Sequence, residues 1–355
     1  MKKICYFGIY DSRYARNKNI IKAFRQNGID VVEVIDTTKG PVKYWKLLKR
    51  YLALPKDFDC MIVGFPGQIM VPFAKLLTRK PVIFDLHVSY YDSIILERKK
   101  YPKISIQALY FYCLDWLSCR LADKVLLDTH EHVAYVSRLL HIPEEKFIVV
   151  YHGIDDGVFA LPDVDLPKNE KFVISFHGYI QLLNGMDLVM HAMKKLENEN
   201  MELWIIGGGS EYKRMQDLAR ELSLSNVLFF PPMKPEELVR KVSTADLGLG
   251  FFSTSAKIDR VIANKVYELM ALKVPVLTGE SLASREHFEH KKHIFYCKRG
   301  DSDAIAQSML ELKGNPELRR EIAENAYTYV QNNLTPKVLG QTIIPIFENI
   351  LATQT

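Results

Sequence analysis

ELWIIGGGSEYKRM, residues 202–215, runs from an apolar, β-prone segment through three glycines into an amphipathic one. A strand that ends in glycines and feeds a helix is the building step of an open α/β sheet. The stretch therefore predicts a parallel sheet with helical crossovers. The same step recurs on both sides. Downstream, NVLFF (226–230), LGLGF (247–251), PVLTG (275–279) and HIFYC (293–297) alternate with the helical patterns 236–244, 263–272 and 303–312. Upstream lie FVISFHG (172–178) and, earlier, ICYFGIY, DVVEVI, DCMIVGF, PVIFDLH, KVLLDT and FIVVYHG between residues 4 and 153. Several are apolar throughout, as strands covered on both faces are. KNIIKAFRQNG (18–28) reads as a helix stopped by Gly28.

The chain has 355 residues, enough for two domains with separate cores. DDGVFALPDVDLPKNEK, 155–171, breaks the rhythm with Pro, Asp and Lys and reads as a linker. The expected division is 1–160, 161–335 and a C-terminal helix, 336–355, that crosses back to the N-terminal domain. At 48% hydrophobic and 25% charged residues the composition is that of an ordinary globular protein. MKKICYFGIY at the N-terminus is read as a buried first strand rather than a signal peptide, and no apolar run reaches the roughly 20 residues that span a bilayer. Five scattered cysteines without a CxxC predict reduced, buried thiols and a cytoplasmic protein. A net charge of +5 without a concentrated basic-aromatic stripe argues against nucleic-acid binding.

Tandem sheets of this kind present the carboxyl ends of their strands to a cleft, the expected site. Gly207, Gly208 and Gly209 read equally as a tight turn or as a loop through which a backbone approaches a ligand, with a helix starting near Ser210. They do not form GxGxxG, and no acidic residue stands at the dinucleotide spacing, which makes a nicotinamide-dependent dehydrogenase a poor reading. FHGYIQLLNGMDLV, 176–189, is a second glycine loop, with Gly178 at a strand end and Gly185 before a helix capped by Asp187 or Asn184. In IANKVYELMALKVPVL, 262–277, Asn264 is placed near an N-cap, and Lys265 and Glu268 share a helix face. The two charges are either a solvated ion pair or a pair aimed at a ligand.

In order, the series strand-HGID-x3-F, strand-HG-loop-NG-helix, strand-GGG-helix, NVLFFPPMKPEEL, TADLGLGF and NKVYELMALKVPVL resembles the retaining glycosyltransferases of family 4, strongly over 150–335 and weakly over 1–150. The resemblance implies an α/β protein of the GT-B fold: two Rossmann-like domains whose parallel sheets face a central cleft. It implies a retaining transfer from a nucleotide-diphosphate sugar, with UDP or GDP as carrier, to a glycan or lipid-linked acceptor in cell-surface polysaccharide or glycolipid synthesis. No metal or cofactor is implied, and the DxD at Asp163-Val164-Asp165 lies in the linker. Donor contacts fall on Gly178, Tyr179, Asn184, Gly207, Gly208, Met233, Arg260, Asn264, Lys265, Val266 and Glu268. Glu268 would take the ribose hydroxyls, Lys265 the diphosphate, and the backbone at Met233 the base.

Three departures accompany it. Where the family has an Arg after the first glycine and a Lys before the second, this chain has Tyr179 and Asn184. Where it has the first of two glutamates separated by seven residues, this chain has Arg260. Lys265, together with Lys257 and Arg260 of the STSAKIDR loop, is an expected replacement cation. A non-catalytic nucleotide-sugar-binding subunit and a sugar-nucleotide 2-epimerase on the same fold stay open as alternatives.

In the N-terminal half, PVIFDLHVSYYDS (81–93) sets Asp85 and His87 at a strand end. The resemblance makes His87, with Lys265, a catalytic residue that contacts the donor sugar. Arg13 and Arg16, in a first loop without the usual glycine pair, are read as meeting phosphate or as solvated. KGPVKYWKLLKRYLALPK, 39–56, reads either as a crossover helix with a lysine face or as a basic, aromatic helix for an anionic membrane surface, with ERKKYPK (97–103) adding cations. The latter would make the protein peripheral on the inner face of the membrane.

Overall fold

A computed structural model describes residues 1–164, 166, 167 and 169–352, so Asp165 of the linker lies outside it. The chain forms two compact units: Met1–Gly153 joined by the described residues from Leu334 on, and Ile154–Asn333.

In the first unit the strands β1 (Lys3–Gly8), β2 (Asp30–Ile35), β3 (Cys60–Val63), β4 (Val82–Asp85), β5 (Lys124–Leu127) and β6 (Phe147–Val149) make one parallel sheet in the order β2-β1-β3-β4-β5-β6. Successive side chains of a strand point to opposite faces, so each apolar strand feeds two cores. Cys5, Phe7, Met61, Val63 and Phe84 pack under α2 (Val42–Ala53), α3 (Met70–Leu77), α4 (Ile106–Leu121) and α5 (His130–Leu140). Ile4, Tyr6, Cys60, Ile62 and Ile83 pack under α1 (Ala15–Gln26) and the last helix, α13 (Pro336–Ala352). α1 ends on Asn27, with Gly28 at φ +78° beyond it, the left-handed turn a helix stop requires. The changeover between units falls at Gly153, not at 160. Gly153, at φ +66°, lies against Leu334 and Leu339, and a side chain there would strike both.

The second unit carries β7 (Phe172–Tyr179), β8 (Met201–Gly208), β9 (Val227–Phe230), β10 (Leu247–Leu249), β11 (Val276–Gly279) and β12 (Phe295–Cys297), again all parallel, in the order β12-β11-β10-β7-β8-β9. Its helices are α6 (Met186–Lys195), α7 (Tyr212–Glu221), α8 (Pro235–Val242), α9 (Asn264–Ala271), α10 (Leu282–Arg285), α11 (Ser302–Gly314) and α12 (Pro316–Asn333). The methionines Met186, Met190, Met193 and Met215 fill the core on one side of this sheet.

Two local expectations are corrected. α6 is not capped by Asp187 or Asn184: Gly185 stands at its N-cap, and Asn184 accepts a hydrogen bond from the Gln181 N–H inside the preceding 3-10 turn. α7 starts at Tyr212 rather than Ser210, because Gly207 and Gly208 still belong to β8. The N-cap of α9 is Ala263, and Asn264 is the first helical residue. All five thiols are free; four are buried and Cys113 is exposed. Among the described residues no helix is long and apolar enough to cross a membrane.

Candidate functional site

In the second unit, the carboxyl ends of β7 and β8 meet the start of α9. β7 and β8 pair in register through Gly178↔Gly207 and Tyr179↔Gly208. Gly207 (φ +139°) and Gly209 (φ +141°) lie against the backbones of Gly178 and Ile180, with no room for a Cβ at either. They are glycines for strand-to-loop packing first. Gly208 differs: a Cβ there would meet only Pro232, 3.8 Å away, so its open side faces the loop that carries half-buried Met233.

α9 brings up the charges. Lys265 is almost wholly buried, with its ammonium over the rings of Phe176 at 4.3 Å and Phe251 at 5.5 Å and its Cε 3.9 Å from the Cβ position of Gly178. No ion pair or hydrogen bond reaches Lys265 Nζ among the described residues. Burial pushes the ammonium down to about 8, against the pull of Glu268. Glu268 does not bridge to Lys265. Its Oε2 lies 2.8 Å from Nε2 of His177, a buried residue at the end of β7 whose Nδ1 has no partner. Phe159, from the HGID-x3-F segment, stacks on His177 with centroids 6.4 Å apart. The solvated i,i+3 pair is thus replaced by an unpaired buried cation and a carboxylate held by histidine.

The first turn of α9 leaves N–H groups without intrahelical acceptors, and Ala263 supplies no side-chain cap. Together with Lys265 they make an anion-favouring corner. Val266 is buried, and its N–H is spent on the Ala263 carbonyl. Tyr179 is exposed. Asn184 is buried in its turn, with its carbonyl accepting from the Phe252 N–H. Arg260 is half-buried at the end of the 3-10 turn Ala256–Asp259.

The first unit gathers a separate polar cluster at the ends of β4, β5 and β6. Arg16 is neither solvated nor open to phosphate: it is fully buried, donating to Asp85 at 3.0 Å and to the Val150 carbonyl. Burial pushes the Asp85 carboxyl up, and Arg16 draws it back. Arg13 is exposed and bound to Asp11. His87 sits in the left-handed region at φ +49°, packed among Phe65, Tyr14 and His152, with the Tyr14 hydroxyl 3.1 Å from Nε2 and a buried, unpartnered Nδ1. Burial, then the Arg16 charge, hold it well below its ordinary range, so the ring is a neutral hydrogen-bonding group. Next to it Asp128 and His132 are 2.5 Å apart. Burial opposes ionisation of Asp128, but His132 keeps the carboxyl below the usual range.

His177, Tyr14, Asp128 and His132 were not singled out in the sequence. His177 stood in view beside Gly178, but nothing in one dimension links residues 177 and 268.

Comparison with known proteins agrees with this architecture. "Glycosyl transferases group 1" matches residues 160–329 and "Glycosyltransferase Family 4" matches 36–158. The chain is 21% identical over 238 residues to N-acetyl-alpha-D-glucosaminyl L-malate synthase of Bacillus anthracis, covering 65% of this chain and 59% of that one. It is 26% identical over 242 residues to D-inositol 3-phosphate glycosyltransferase of Mycobacterium ulcerans, covering 62% and 50%. The matches thus span between half and three-fifths of these relatives. Among solved structures, Anabaena Alr3699/HepE in complex with UDP and glucose superposes with a TM-score of 0.75 at 15% identity, over 98% of this chain and 100% of that one. This likeness shows the GT-B fold. With both halves matched, the chain belongs to the family 4 glycosyltransferases.

Proposed function

We propose that the chain transfers a sugar from a nucleotide-diphosphate sugar, with UDP the first candidate, to a glycan or lipid-linked acceptor with retention of configuration. The observation that carries this reading is the α9 corner: a buried, unpaired Lys265 beside a histidine-held Glu268 at the strand ends. An ionised carboxylate accepts two vicinal ribose hydroxyls, and a buried ammonium with no internal anion gains most from a diphosphate. UDP is favoured because the similar HepE structure holds it.

In this reading the bond from the anomeric carbon to the diphosphate oxygen breaks, and its electron pair leaves with the phosphate, where Lys265 and the start of α9 stabilise it. The acceptor oxygen attacks from the same face, and its proton passes to the departing phosphate oxygen. The chemistry calls on no metal. The basic segment 39–56, with α2 at its centre, seats the protein on the inner, cytoplasmic face of an anionic membrane, next to a lipid-linked acceptor.

A non-catalytic binding subunit is the second reading. It is favoured by exposed Tyr179 and turn-bound Asn184, neither of which supplies a cation. Thermal shift with UDP, GDP and ADP and their sugars, followed by product analysis, decides. Donor turnover rejects the second reading, and tight nucleotide binding without turnover rejects the first.

A further inference from the structure

We propose that the outer face of the α2–α3–α4 layer is a docking surface for an anionic bilayer. This deepens the peripheral reading above, which rested on residues 39–56 and the cations of 97–103.

The surface is one-sided. Of the large apolar side chains that the first unit exposes, all but Tyr14 lie on or beside these three helices. Leu76 of α3 is 86% exposed, and Ile104 and Ile106, at the start of α4, are 98% and 84% exposed. Along α4 the exposed residues Ile106, Leu109, Tyr110, Trp116 and Leu117 recur at helical spacing, while Ala108, Asp115 and Cys119 face the core. α2 adds Trp45 and Leu52. A groove of about 550 Å³ opens at the head of α4 between Tyr91, Ile104, Leu109 and Tyr112, with Lys103 at its edge.

Charge selects the occupant. Segments 39–56, 69–80 and 98–121 hold fourteen Lys and Arg, and their single carboxylate, Asp115, is buried. With a net +5 for the whole chain, the remainder is net negative. Arg50 and Lys75 pair with Asp36 and Asp123 at the rim; the others form no ion pair among the described residues. A protein interface of this apolar extent is depleted in lysine. Ten of these fourteen cations are lysines, interleaved with aromatics, which is the pattern of a surface that enters the headgroup region of anionic lipid. The groove then accepts an acyl chain.

The test is co-sedimentation of the full chain with vesicles of phosphatidylcholine alone or with roughly one-third phosphatidylglycerol. Binding to the anionic vesicles only, weakened by salt, is expected. The exposed-residue variants I104S/I106S/L109S and K99S/K100S/K103S should each lower partitioning by about tenfold or more, with the UDP thermal shift unchanged. Wild-type protein that ignores anionic vesicles overturns the proposal. So does W45S/L52S abolishing binding while the I104S/I106S/L109S and K99S/K100S/K103S variants keep it, which returns the surface to α2 alone. Absence of vesicle binding together with a dimer that I104S/I106S/L109S dissociates overturns it in favour of a second copy of the chain. Vesicle binding without any nucleotide shift supports this surface and counts against the donor reading, so the two fail separately.

Discussion

Nε2 of His177 stands 2.8 Å from Oε2 of Glu268, tying the end of β7 to α9 across 91 residues of sequence. The contact fixes one carboxylate oxygen, Oε2. Glu268→Ala should weaken UDP binding by about 1–3 kcal/mol, the range for hydrogen bonds to a charged group. His177→Phe should cost about 1 kcal/mol, because it frees the carboxylate without removing it. Titration calorimetry checks both, and donor affinity unchanged in Glu268→Ala would end the ribose assignment.

Lys265 sets stability against binding. Its folded value of about 8 lies below the ordinary 10.5, so below pH 8 the protein bears the cost of a buried charge, on the order of 3 kcal/mol. Between pH 8 and 10.5 the unfolded chain binds the extra proton, and stability from this group rises with pH. Lys265→Met should therefore raise the urea midpoint at pH 7 and flatten that rise, while weakening UDP binding by about tenfold or more. A less stable Lys265→Met variant would contradict the burial cost.

A diphosphate beside Lys265 should restore its proton. UDP binding at pH 8.5–9 is expected to take up a proton, up to about one, seen as a dependence of the calorimetric enthalpy on buffer ionisation. The uptake should vanish in Lys265→Met. Equal uptake in both proteins would remove Lys265 from the phosphate site.

Asp85 and Arg16 are both fully buried, so neither tolerates the loss of the other. Asp85→Ala should cost about 3–5 kcal/mol in urea unfolding because it strands the guanidinium, and the double variant Arg16→Met/Asp85→Leu should recover most of this. Additive losses in the double variant would mean that the two residues act independently.

Gly207 abuts the Gly178 carbonyl at φ +139°. Gly207→Ala should destabilise by roughly 2–4 kcal/mol through strain and backbone collision, whereas Gly208→Ala, with open space around it, should be tolerated for folding. Thermal unfolding of the two variants checks the contrast.

The strand-helix alternation, the all-apolar strands and the Pro- and Asp-rich break after residue 155 were sufficient to read two parallel α/β units, because hydrophobic periodicity is a local property of the chain. Cap positions were less legible. Asn184 and Gly185 compete for the turn before α6, and only the packing of Gly185 against Phe252 and Ser253 assigns the N-cap. The family resemblance located Lys265 and Glu268, but their environments depend on residues remote in sequence. The rings of Phe176 and Phe251 isolate the lysine, and His177 holds the acid. Arg16, next to an exposed loop, could be read as meeting phosphate or as solvated, and the closure of the strand ends over it makes it neither. Sequence alone thus determined the order and type of elements, since propensity and burial pattern act over a few residues. Tertiary structure decided which charges are paired, buried or left facing outward, since desolvation and Coulomb energies depend on neighbours that only folding brings together.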